Sequence, residues 1–200
     1  MNDKIHSNVF CYTDSKKKVY FLHKKITKKG SASYYFSPKN EGDLVKEIPE
    51  GYEVWENPAS SQAFLRKQEI RLITKEEEKE IESALKKWCP VYAKFDIRGR
   101  QIIIYGSRAE KGFSSLKQLL PGIVLPDDFA EITKEYVTYI PLLRFSLTDS
   151  SKRIFSTERW CFRGSIDDWI SLFEYDDGSL CELCEKLFPH LGQESFYDVM

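Results

Sequence analysis

Apolar residues recur along this chain with two different periods, and the two alternate. Between Lys75 and Trp88, residues Ile81, Ala84, Leu85 and Trp88 return at i, i+3, i+4 and i+7, which lines them along one side of a helix. Thr74 precedes that stretch and Glu77 follows three positions later, a pairing that caps the free amides of a first helical turn. Cys89-Pro90 closes the pattern, because proline cannot continue a helix. The period then drops to two: Val91, Ala93, Phe95 and Ile97 alternate with Tyr92, Lys94 and Asp96, the signature of a strand with one wet face. Arg98-Gly99-Arg100 turns this strand into Gln101–Tyr105.

Further strands are predicted over Val19–Ile26 and Ser33–Ser37 around the turn Thr27-Lys28-Lys29-Gly30. Tyr52–Glu56 and Ala63–Lys67 form a similar pair around Asn57-Pro58. Val137–Leu147 and Arg153–Phe162 flank a polar turn, and Pro141 argues for an edge position or a bulge in the first of them. Two more capping pairs, Ser165 with Asp168 and Ser179 with Glu182, predict helices after each serine. The expected fold class is therefore α+β: antiparallel β-hairpins with about four to five helices packed on the sheet. No repeat or flexible linker interrupts the chain. It reads as a single α+β domain over residues 1–200, with a subdivision into a strand-rich part, 1–73, and a helix–sheet part, 74–200.

Composition narrows the class without naming an activity. The apolar fraction of 42% and charged fraction of 30% over 200 residues describe a globular chain with enough material for a core. The amino-terminal stretch is lysine-rich and lacks a long apolar run, so no secretory signal is expected. Ile102-Ile103-Ile104-Tyr105 is among the longest apolar stretches and is far too short for a membrane helix, so no membrane partner is expected. Five cysteines, an odd number, fit reduced thiols in a cytoplasm.

Catalytic motifs are missing: there is no Gly-x-Gly-x-x-Gly, Walker-type loop, His-Glu-x-x-His or Gly-x-Ser-x-Gly. No cofactor is expected. Cys181 and Cys184 have the spacing of half a zinc site, but no second pair exists, and Cys161 and His190 would have to complete it. Two buried thiols in a core helix are the expected reading. Asp167, Asp168, Asp176 and Asp177 belong to the densest carboxylate cluster and define an alternative function, a metal-dependent hydrolase or nuclease. Helix starts and turns account for the same residues.

The leading expectation is a cytoplasmic interaction protein that binds another macromolecule, through a protein partner or self-association. Its 4 Trp, 11 Tyr and 13 Phe supply the residue types that anchor interfaces. Charge is also polarised. Residues 1–40 hold nine lysines against Asp3 and Asp14, a net +7, whereas residues 161–200 hold Arg163 and Lys186 against nine carboxylates, a net −7. The basic end interleaves lysine with tyrosine, which makes Lys24, Lys25, Tyr34 and Tyr35 candidate binding residues and single-stranded nucleic acid a further candidate partner. Arg98 and Arg100, at a basic hairpin tip, join them.

Overall fold

The computed structural model describes residues 9–88, 93–107, 137–163, 166–172, 177–191, 193 and 196. They belong to two compact units, Met1–Gln68 and Glu69–Met200. The first unit holds a three-stranded antiparallel sheet, β1 (Cys11–Thr13), β2 (Val19–Ile26) and β3 (Ala32–Ser37), and a separate hairpin of β4 (Tyr52–Glu56) and β5 (Ala63–Lys67). Its core is small: Tyr20, Leu22, Phe36 and Ala63 are buried, with Val54 and Leu65 of the β4–β5 hairpin packed against them. Gly30 closes the β2–β3 turn at φ +79°, a conformation that costs an L-residue with a side chain about 1–2 kcal/mol.

The second unit is built on an antiparallel sheet of β6 (Ala93–Arg98), β7 (Gln101–Ser107), β8 (Tyr139–Asp149), β9 (Ile154–Arg163) and β10 (Ile166–Ser171), hydrogen-bonded in chain order, with the short β11 (Asp177–Gly178) also paired to β9. Two helices, α1 (Lys75–Trp88) and α2 (Leu180–Leu187), supply the other half of its core. Ile81 and Leu85 of α1 pack with Ile102, Phe145, Phe155 and Leu187, each such side chain contributing roughly 1.5–3 kcal/mol by leaving water. Both helices start on formed capping boxes. Glu77 N donates to Thr74 Oγ1 at 3.2 Å while Thr74 N donates to Glu77 Oε2 at 2.9 Å, and Ser179 with Glu182 repeats the arrangement. Pro141 lies on a bulge: Ile104 pairs with Leu143 and Tyr105 with Pro141, leaving Leu142 without a partner on β7. The pairing of β8 with β9 starts only at Leu143, so the proline interrupts no ladder there.

One expectation is overturned. Sheet dominates, with 47% of the described residues in strands and 18% helical, and among these residues two α-helices stand where four to five were expected. A short 3₁₀ turn, Phe188–His190, follows α2. The error is clearest after Ser165, where Ile166–Ser171 is strand β10 instead of a helix. Apolar residues at 166, 169 and 170 have the i, i+3, i+4 spacing of a helix, but three positions over so short a segment do not settle the period. The ladder with β9 decides: six residues pair, and Trp169 meets Trp160 edge-on with ring centroids 5.1 Å apart. The Asp168 carboxylate accepts from the amide of Trp169 at 2.7 Å instead of capping a helix. Cys89-Pro90, read as a helix stop, lies outside the described residues. No helix among the described residues is long and apolar enough to cross a membrane.

Candidate functional site

Strand alternation sorts the residues of the β2–β3 hairpin onto two faces. Leu22 pairs with Phe36 and Lys24 with Tyr34 on the face that carries the core. His23 pairs with Tyr35 and Lys25 with Ser33 on the other. His23 is buried at 3% exposure, and its ring stacks on Tyr35 with centroids 5.1 Å apart and an interplanar angle of 14°. Its Nε2 lies 2.9 Å from the carbonyl oxygen of Lys39. A carbonyl only accepts, so this nitrogen carries the hydrogen, and the ring ties β2 to the chain that follows β3. Leu44 forms an isolated bridge to His23, and Lys24 N donates to Asp43 O at 2.9 Å. Residues 43–45 thereby continue the edge of β2 where β1 stops.

The tip of this hairpin is an uncompensated positive surface. Residues 15–40 include eight lysines and no Asp or Glu. Lys24, Lys25, Lys28, Lys29 and Lys39 are exposed, and none of the five makes an ion pair among the described residues. Alternation sends Lys24 and Lys25 to opposite faces, with Lys28 and Lys29 in the turn, so the charge wraps around the tip. Like charges on neighbouring positions repel, and with no carboxylate between them their field reaches solvent. Tyr35 is 47% exposed beside them, whereas Tyr34 is half-buried against Tyr52, ring centroids 6.1 Å apart. Beside β2, Lys24 and Ile26 line an open depression of about 470 Å³ with Asp43, Leu44, Val45 and Lys46.

The remaining sequence candidates belong to the second unit. Arg98 is neutralised: its Nε donates to Glu69 Oε1 at 2.7 Å. Arg100 is exposed, and its carbonyl accepts from Leu147 N at 2.9 Å. Asp167 and Asp168 are successive residues of β10, both exposed and directed to opposite faces of the strand. Asp177 is exposed on β11, and Asp176 lies outside the described residues. No group of three or more His, Cys, Asp or Glu among the described residues is arranged to hold a metal. Cys184 is buried on α2, and burial, then the nearby Glu80 carboxylate, pushes its thiol well up. Cys181 is exposed, not buried as expected, and its thiol is pushed up by a hydrogen bond to Glu80.

Sequence reasoning passed over Lys28, Lys29 and Lys39 as binding residues and missed the latch formed by His23. The signal for the lysines was present in the 26 positions from 15 to 40 without a carboxylate. A second cluster was also missed. Arg144 lies 4.5 Å over the Trp169 ring and pairs with Glu158, its Nη2 2.6 Å from Oε2. That arginine is satisfied within the fold, which distinguishes it from the hairpin lysines. Comparison with family models, curated proteins and solved structures finds no match for this chain.

Proposed function

We propose that this chain is a cytoplasmic protein-interaction module whose β2–β3 hairpin binds an acidic segment of a partner protein. The observation that carries the reading is the run of eight lysines without a carboxylate over residues 15–40, of which Lys24, Lys25, Lys28 and Lys29 are exposed on the β2–β3 hairpin and make no ion pair among the described residues. The odd cysteine count supports a reducing compartment.

Magnitudes constrain how such a complex is held. Four exposed lysine–carboxylate contacts contribute about 1–3 kcal/mol together. A complex with a Kd of ~10 μM needs roughly 7 kcal/mol. Charge therefore steers the partner and selects its sign, while most of the affinity comes from uncharged contacts.

Single-stranded nucleic acid fits less well. Proteins that bind it without sequence preference stack successive bases on free aromatic faces. Here one face of Tyr35 is taken by His23, and Tyr34 leans on Tyr52. The test is fluorescence anisotropy of the full chain with a labelled peptide of alternating Glu and Val, set against its Lys–Val counterpart and oligothymidylate. Saturable binding of the Glu peptide, weakened by salt and by Lys25→Glu with Lys28→Glu, is the expected result. Binding of oligothymidylate alone, or of none of the three at low salt, would overturn the reading.

A further inference from the structure

The proposed interaction leaves open what supplies the contacts that charge does not, and the free edge of β3 answers it. The sheet order is β1-β2-β3, so among the described residues β3 pairs on one side only. Hydrogen-bond parity identifies the residues that face outward. Leu22 N donates to Phe10 O and Lys24 N to Asp43 O, both away from β3. Their cross-strand partners Phe36 and Tyr34, and by the same alternation Ala32, therefore turn their N–H and C=O to the outer side of β3. β5 packs near β3 without pairing with it; of the three outward-facing residues, Ala32 is exposed and Tyr34 half-buried, with the Phe36 side chain in the core.

Folded proteins usually blunt an exposed edge with charge, proline or brevity. The other edges of the two larger sheets follow that rule. β1 has three residues, β6 carries Lys94, Asp96 and Arg98, and β10 carries Asp167 and Asp168. β3, Ala-Ser-Tyr-Tyr-Phe-Ser, has six residues with no charge and no proline. Its lysines sit beside it: Lys25, Lys28 and Lys29 toward its start, Lys39 past its end. A second copy pairing antiparallel on β3 would set the Lys28–Lys29 tip of one chain beside Lys39 of the other, like charge against like. An acidic strand meets opposite charge at both ends.

Resting on the reading above, we infer that the free edge of β3 is a strand-addition site for an extended acidic peptide segment. The segment pairs its backbone with Ala32, Tyr34 and Phe36, and the flanking lysines select its carboxylates.

The deciding experiment separates the edge from the charge. Ala32→Pro removes an outward N–H at the first residue of the strand, a position an edge strand tolerates, and leaves every lysine in place. The expected result is about a tenfold or greater loss of affinity for the Glu–Val peptide in this variant. In the unaltered chain, amide exchange measured by NMR should slow at Tyr34 and Phe36 on adding the peptide, while Ser33 and Tyr35, already bonded to β2, stay unchanged. Lys28→Gln with Lys29→Gln should weaken binding and its salt dependence without altering which amides slow. Peptide binding that survives Ala32→Pro with no amide protection would overturn the edge and leave the charge reading standing. Failure of the peptide to bind at all would overturn both. Protection of these amides by oligothymidylate, or by self-association seen in sedimentation without peptide, would overturn the acidic occupant. If circular dichroism shows Ala32→Pro unfolded, the exchange pattern of the unaltered chain decides.

Discussion

The Tyr12 hydroxyl donates to Glu56 Oε2 at 3.0 Å, tying β1 to the end of β4 across 44 positions of sequence. The same carboxylate oxygen accepts from Ser15 N at 3.0 Å, so one acidic side chain holds both a strand and the turn that follows it. Burial, then the hydrogen bond to Glu56 and its negative charge, raises the Tyr12 phenol from 10.0 to about 12. The fold favours the neutral phenol. Its contribution to stability is complete below pH 10 and is lost as pH rises toward 12. A spectrophotometric titration of tyrosinate should show a late-ionising group that disappears in Tyr12→Phe and moves down in Glu56→Gln. An unchanged titration in Tyr12→Phe would contradict the assignment.

Arg153 locks the β8–β9 turn to the start of α1. Its Nε donates to Glu77 Oε1 at 2.8 Å and its Nη2 to Glu77 Oε2, while the same Nη2 reaches the Leu72 carbonyl at 3.2 Å. Glu77 is 8% exposed, so removing its partner strands a nearly buried carboxylate. Because Arg153 itself is about one-third exposed, water reduces the loss below that of a fully buried pair. Arg153→Ala should destabilise by about 2 kcal/mol, and a double-mutant cycle with Glu77→Gln should recover a coupling of at least ~1 kcal/mol. Additivity of the two substitutions would show the pair to be energetically idle.

Gly99 is held at φ +54°, and a Cβ there would stand 2.7 Å from Glu69 Oε2. Gly30 has a similar φ of +79° with nothing within 4 Å. Both alanine variants carry the backbone strain of about 1–2 kcal/mol. Only Gly99→Ala also pushes Glu69 away from Arg98. Urea denaturation should therefore find Gly99→Ala the less stable of the two, and prior removal of Glu69 by Glu69→Ala should bring them level.

The two thiols of α2 should react at very different rates. Cys184, 2% exposed, should alkylate only on unfolding. Cys181 is exposed, but the hydrogen bond to Glu80 raises its pKa and slows its reaction by leaving less thiolate. Mass spectrometry after brief maleimide treatment of the folded chain should find Cys181 labelled and Cys184 not. Glu80→Gln, which removes the accepting carboxylate, should speed Cys181. Cys184→Ala should cost about 1–2 kcal/mol through the small cavity it leaves.

Local signals carried much of the second unit. The α1 boundaries, Lys75 to Trp88, follow from Thr74, Glu77 and the apolar stripe, all within one helix length. The β6–β7 hairpin follows from the alternation that marks β6 and the turn Arg98-Gly99-Arg100 after it. The helix expected after Ser165 failed because its six residues are too few to separate a period of 3.6 from one of two. At the candidate site, Lys24, Lys25 and Tyr35 were legible as exposed residues of a basic hairpin. That His23 would be buried under Tyr35, and that β3 would be an edge, was not.

What the sequence by itself determined is whatever depends on neighbours within a few positions. That includes the caps of α1 and α2, the strands β2, β6 and β7, the turn at Gly30, and the absence of carboxylates from residues 15–40. Only the tertiary structure decided which strand lies beside which: β9 claiming β10 as a strand, and β2 pairing with β1 and Leu44 on one side and β3 on the other. The physical reason is that a strand's backbone hydrogen bonds are satisfied by residues remote in the chain, whereas a helix satisfies its own within four residues. A strand's fate, and whether its edge is left open, is therefore set by whatever arrives beside it.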